Sequence, residues 1–207
     1  MKILHVDLET KSPLDIKKAG TYRYAEDSDI LLWSYSWDDS PIDMVTCVDI
    51  ANGEELDLDI SFAMTDPTVL KVAHNASFER AVLTKVQGVP HPPEQWLCTA
   101  ALAAYAGLPR SLTMATMRAG VKHKAAGLRL IKKFCGAEPP KGGYAGPDWE
   151  EFKAYSRQDV EVERELYEWL KDYPMPESER QVWIVDQEIN DRGFLVDIPL
   201  VDGAIKM

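Results

Sequence analysis

Four carboxylates stand where a folded chain does not ordinarily leave charge: Asp7, Glu9, Glu79 and Asp159. His5-Val6-Asp7-Leu8-Glu9-Thr10 closes an apolar run that starts almost at the first residue. In a strand, Ile3, His5, Asp7 and Glu9 would share one face. Two acids side by side at a strand tip repel each other, and a hard divalent cation between them is the natural relief. The plainer reading is a strand that ends by turning polar.

Asp159 breaks a different pattern. Trp149, Phe152, Tyr155, Asp159, Val162, Leu166 and Trp169 follow the 3–4 spacing of one helical face, which should be buried. Asn75, Phe78, Glu79, Val82, Leu83 and Val86 make a shorter inward stripe with Glu79 inside it. An ionised carboxylate buried without a partner is heavily penalised. Singly, each has a simple answer: an arginine beside Asp159, a capping or edge position for Glu79. If the first strand lies at the sheet centre with both helices beside it, however, all four acids converge and metal ions become the sensible compensation. Two divalent ions about 4 Å apart activate a water, hold a phosphate and stabilise the leaving oxygen, the chemistry that phosphodiester hydrolysis needs.

The elements that must position these acids are readable in outline. After the first strand, residues 12–29 are loop-rich, and Ile30–Trp37 with Ile42–Val48 predict a hairpin around Asp38-Asp39-Ser40-Pro41. Leu56–Met64 predicts a short helix and Val69–Ala73 a buried strand, followed by a helix to about Gln87, closed by Gly88 and Pro90. Helices are expected over Thr99–Ala106, Leu112–Ala119 and Leu128–Phe134, then a Gly/Pro loop and a long helix over about Asp148–Asp172. Beyond a linker at Pro174 and Pro176, the pattern predicts a helix over Glu177–Asp191, a strand over Phe194–Asp197 and the start of a helix from Leu200. The order predicts an α/β domain with a mixed sheet, three antiparallel strands plus parallel strands, flanked by helices.

Composition narrows the setting. The 207 residues, 45% hydrophobic, are enough for a sizeable core in one domain with an appendage. No apolar run approaches the ~18–20 residues that span a bilayer, and no leader pattern opens the chain, so a cytoplasmic protein without a membrane partner is expected. Cys47, Cys98 and Cys135 are odd in number and widely spaced, which supports neither a disulfide framework nor a zinc site. The net charge of −11 argues against a general nucleic-acid coat protein. Yet between Glu94 and Glu138 there is no acid, while Arg110, Arg118, Lys122, Lys124, Arg129, Lys132 and Lys133 all fall there. An acidic body with one basic segment suits an enzyme holding cations at its site and phosphates beside it; a solvated helix face is the alternative.

Taken in order, Asp7-Leu8-Glu9-Thr10, Asn75-Ala76-Ser77-Phe78-Glu79 and Tyr155-Ser156-Arg157-Gln158-Asp159 resemble the three motifs of the DEDD superfamily of 3′–5′ exonucleases (DnaQ-like, ribonuclease-H-like fold). Tyr155 four residues before Asp159 resembles the tyrosine subclass. The resemblance covers about residues 1–172. Beyond it, residues 173–207, with Glu179-Arg180-Gln181-Val182-Trp183 and Asp186–Gly193, look like the linker, helix and strand that begin a bacteriophage-type family A DNA polymerase domain. One departure is Glu79, where the second motif usually ends in Asp.

The resemblance implies a proofreading type of hydrolysis that releases nucleoside 5′-monophosphates from a single-stranded or frayed DNA 3′ end. It implies two divalent ions, Mg²⁺ or Mn²⁺, with Asp7 bridging both, Glu9 and Asp159 completing the first and Glu79 supporting the second. Tyr155 would orient the attacking water, since a phenol with a pKa near ~10 is a poor general base. Thr10 and Glu9 would meet the terminal 3′-hydroxyl and Asn75 the strand, with Leu8 and Phe78 as base contacts or core. Lys122, Lys124 and Arg129 would track phosphates. A polymerase domain or subunit is the implied partner. Two alternatives remain open here: an exoribonuclease of the same subclass, and a non-catalytic module that binds a 3′ end or a partner protein.

Overall fold

The computed structural model describes residues 2–121 and 127–207. Its strands are β1 (Lys2–Lys11), β2 (Asp29–Trp37), β3 (Thr46–Val48), β4 (Val69–Ala73) and β5 (Trp96–Cys98), joined in one sheet of order β3-β2-β1-β4-β5. β1 pairs antiparallel with β2 and parallel with β4; β2–β3 is antiparallel and β4–β5 parallel. The mixed α/β architecture is as the sequence predicts, and β1 takes the central place that convergence of the acids requires. Alternation along β1 then sorts its side chains. Leu4, Val6 and Leu8 enter a core with Trp33, Tyr35, Met64, Val82 and Leu83, while His5, Asp7 and Glu9 face the opposite way. The register shifts between Glu9 and Thr10, a local irregularity at the strand's polar tip.

Around the sheet lie α1 (Ile16–Ala19), α2 (Thr21–Glu26), α3 (Leu58–Thr65), α4 (Ser77–Gln87), α5 (Thr99–Tyr105), α6 (Leu112–Ala119), α7 (Gly127–Phe134), α8 (Pro147–Leu170), α9 (Glu177–Arg192) and α10 (Ile198–Ile205). The 24-residue α8 organises the far face of the sheet. Its first turns put Trp149 and Phe152 into an aromatic cluster with Leu31, Leu32, Leu130 and Phe134. Its last turns put Leu166, Tyr167 and Leu170 against Leu70, Val72, Leu102 and Ala115. Tyr155, Asp159 and Glu163 fall in the gap between these two apolar anchors. Burial on either side fixes the phase of the helix and leaves its polar middle aimed at β1.

The structure corrects several expectations. β5, three residues after Pro92-Pro93, is not legible as a strand by itself, because three residues are too few for an alternation to be read. The expected loop over residues 12–29 contains α1, started by Asp15 accepting from the Lys17 amide, and α2. The second hairpin strand shrinks to Thr46–Val48. Val86 points outward, exposed. Phe194–Asp197 is not a strand: no sheet edge pairs with it, and Phe194, Leu195 and Val196 are exposed. The expected boundary at 172/173 lies in the turn between α8 and α9, but α9 folds back onto the domain. Arg180 donates to the carbonyls of Glu94 and Trp96, and buried Arg80 of α4 bonds Gln187 and Asp191. Among the described residues no helix is long and apolar enough to cross a membrane.

Candidate active site

Asp7 and Glu9 from β1 and Asp159 from α8 meet, each offering an oxygen within 4.8 Å of the others. Strand alternation aims the first two, and the anchored phase of α8 aims the third. Glu79, buried in the first turn of α4, bears electrostatically on both β1 acids. Mutual repulsion adds to burial at Asp7, Glu9 and Glu79. Burial, then the charges of Asp159 and Glu163, hold Asp7 well above the usual carboxylate range. Burial, then Asp7, Asp159 and Glu79, do the same to Glu9, against a small opposing bond from the Cys135 thiol. Glu79 is raised by burial and then by Asp7, and Asp159 is raised by burial to about 6. A cluster that resists ionisation in the absence of a cation is one that a cation would stabilise. The donors are all oxygen, and Glu79 Oε2 is buried without a hydrogen-bond partner among the described residues. Both features fit a hard divalent ion.

Tyr155 lies one turn before Asp159 and hydrogen-bonds its carboxylate. Burial and the charges of Asp159 and Glu9 push the phenol far above its ordinary range, so it stays protonated.

No family model matches the chain. In sequence it is 38% identical to the DNA polymerase of Bacillus phage SP02 over 219 aligned residues, covering 99% of this chain and 33% of the polymerase. The chain therefore spans about a third of the length of the curated relative it matches. In structure it resembles Escherichia coli RNase D, described as an exoribonuclease involved in structured RNA processing. The TM-score there is 0.58 at 16% identity, over 94% of this chain and 46% of that one. It also resembles Brucella melitensis NrnC with bound Mg²⁺, with a TM-score of 0.59 at 15% identity, over 95% and 89% of the two chains. The fold is that of the DnaQ-like exonucleases.

Within this DnaQ-like fold the remaining expected residues separate. Thr10 is buried beside the site with Oγ1 3.0 Å from the Tyr24 hydroxyl, and half-buried Phe78 stands 5.9 Å from the Tyr24 ring. Asn75, exposed at the turn from β4 to α4, takes φ 72°, a left-handed conformation that asparagine tolerates better than most. Leu8 is only 5% exposed and packs in the core: between Asp7 and Glu9 it must face the other side of the sheet, so it presents nothing to a substrate. Arg129 is exposed but already paired with Asp148 at 3.0 Å and Glu151 at 2.6 Å, so it is not a free phosphate ligand. Lys122 and Lys124 lie outside the described residues.

Three residues at the site are not in the motifs. Glu163, one turn after Asp159, is buried with Oε2 2.7 Å from His5 Nδ1 and Oε1 without a partner among the described residues. His5 Nε2 lies 3.2 Å from Asp38. Burial alone would lower the His5 pKa, but Glu163 and Asp38 outweigh it and raise it. Cys135 places its thiol 3.9 Å from Glu9 Oε2. The helical phase of Glu163 and the strand phase of His5 were both visible in sequence as signals; their pairing across the fold was not.

Proposed function

We propose that this chain is a metal-dependent 3′–5′ exonuclease of the tyrosine subclass that shortens DNA from the 3′ end, in the manner of a proofreading nuclease. One observation carries the reading: three convergent carboxylates, with a protonated phenol hydrogen-bonded to one of them. By the motif resemblance, Asp7 would hold two Mg²⁺ or Mn²⁺ ions, Glu9 and Asp159 would complete one site, and Glu79 would support the other. Bound there, such ions supply an acidified water and neutralise charge on the departing 3′ oxygen. Tyr155, held as a neutral donor, orients the attacking water and does not abstract its proton. Thr10, fixed by Tyr24, and Glu9 form the wall that receives the terminal ribose, with Phe78 and Asn75 at its edge.

The likeness to a phage DNA polymerase supports DNA as the substrate and a polymerase region as the partner, while the likeness to RNase D supports RNA as the second reading. Matched 5′-labelled DNA and RNA strands digested with Mg²⁺ separate them. The expected result is a ladder shortening from the 3′ end, faster on DNA. A preference for RNA would favour the exoribonuclease reading. Binding of a 3′ end without cleavage of either strand would leave a non-catalytic module.

A further inference from the structure

Both ends of α7 touch the candidate site, and its first residue bears on how Tyr155 is held. On one side the phenol lies parallel to Phe152, with ring centroids 6.1 Å apart and 7° between planes. Phe152 in turn stacks on Phe134 of α7 at 5.4 Å. On the other side stands Gly127, which opens α7 and is buried. A Cβ at Gly127 would lie 2.6 Å from the Tyr155 hydroxyl oxygen and nearer still to ring carbons Cζ and Cε2. No packed carbon sits that close, so only glycine lets the α7 backbone meet the ring. The reason is steric and not torsional, because Gly127 is helical and is not among the glycines with positive φ. At the other end, Cys135 follows Phe134 and reaches Glu9. The α7 segment thus spans from the phenol on α8 to a carboxylate on β1.

We propose that Gly127 is a positioning residue for hydrolysis: its missing side chain lets α7 close on the Tyr155 ring and hold it against the Phe152–Phe134 stack, with the hydroxyl on Asp159. This rests on the reading of Tyr155 as the water-orienting group. With a methyl group at 127 the ring is the part that must move, because Cζ, Cε2 and the hydroxyl are the free end of a side chain whereas both helices are anchored in the core.

The test is Gly127→Ala, assayed on a labelled DNA strand with Mg²⁺, alone and combined with Tyr155→Phe. Turnover should fall by about 10²-fold, the scale of a misplaced catalytic group. The Mn²⁺ dissociation constant should be unchanged, and the melting temperature should fall by a few degrees, since the added methyl group crowds a buried ring. In the Tyr155→Phe background the same substitution should cost nothing further, because the hydroxyl it misplaces is gone. Wild-type turnover in Gly127→Ala, or an equal loss in both backgrounds, would overturn the proposal while leaving the Tyr155 reading intact. Full activity in Tyr155→Phe alone would instead overturn that reading, and this one with it. If Gly127→Ala does not fold, Phe152→Leu removes the opposite side of the clamp. Its turnover should fall in the same non-additive way, and undiminished turnover would refute the clamp.

Discussion

Asp159 shows what a cation would change at the site. Its carboxyl titrates at about 6 in the folded chain against an ordinary 3.8, with burial as the main cause. The protonated form is therefore the one the fold favours. That contribution to stability is complete below the ordinary value and is lost as pH rises through about 6. A cation reverses the preference by stabilising the ionised form. Added Mn²⁺ should accordingly raise the melting temperature strongly at about pH 7.5 and little at about pH 5. Scanning calorimetry at the two pH values checks this, and equal shifts would contradict it. Tyr155 belongs to the same scale. Since the phenol stays protonated, Tyr155→Phe should lower kcat by about 10²-fold, with the metal dissociation constant and the pH profile unmoved. A profile that lost its acid limb, the rise of activity with pH, would make the phenol a base after all.

At the scale of elements, α8 is both a frame for the sheet and the carrier of Tyr155 and Asp159. Buried Arg164 on it donates to Ser36 Oγ and to the carbonyls of Asp38, Ser40, Pro41 and Ile42, tying the β2–β3 connection to the helix. Arg164→Ala leaves several of these acceptors unpaired and should destabilise the fold by about 3 kcal/mol in urea unfolding. A cost of a few tenths would mean that water replaces the guanidinium freely. Much of this element was readable in sequence, because 24 residues of helix carry enough 3–4 repeats to fix which face is inward, and Asp159 stood out against that face. β1 was readable for the same reason at period two. Glu163 was in phase as well, but what marks it is the contact with His5, 158 positions away, which no local pattern encodes. β5 is too short for its alternation to be read, and α1 and α2 are helices of four and six residues set by a capping aspartate and by the packing of Tyr24 and Ala25. Phe194–Val196 has the composition of a strand without an edge to join, so propensity alone misled there. Gly127 could not be singled out at all, since the ring that requires it sits on another helix.

Over the whole molecule, the domain and its last segments hang together unequally. α9 is fastened by Arg80, whose buried guanidinium depends on Gln187 and Asp191, while Phe194, Leu195, Ile198, Leu200 and Ile205 lie exposed. Ending the chain after Gly193 should move the melting temperature by no more than about 2 °C. Ending it before Glu177 removes both the partners of Arg80 and the packing of buried Ile184, and should cost about 3–5 kcal/mol. Equal effects would show that α9 is as peripheral as the segment after it. The carboxylate cluster is built from β1 and α8 and draws on no residue of that last segment, so its chemistry is testable on the chain as it stands. The most direct measurement is release of the terminal nucleotide from a 3′-labelled DNA strand by the wild type and by Asp7→Asn, each with Mg²⁺ and with a chelator. The account predicts a labelled nucleoside 5′-monophosphate from the wild type with Mg²⁺ only, and a loss of about 10³-fold or more in Asp7→Asn. Undiminished release by Asp7→Asn, or release that the chelator leaves intact, would contradict it.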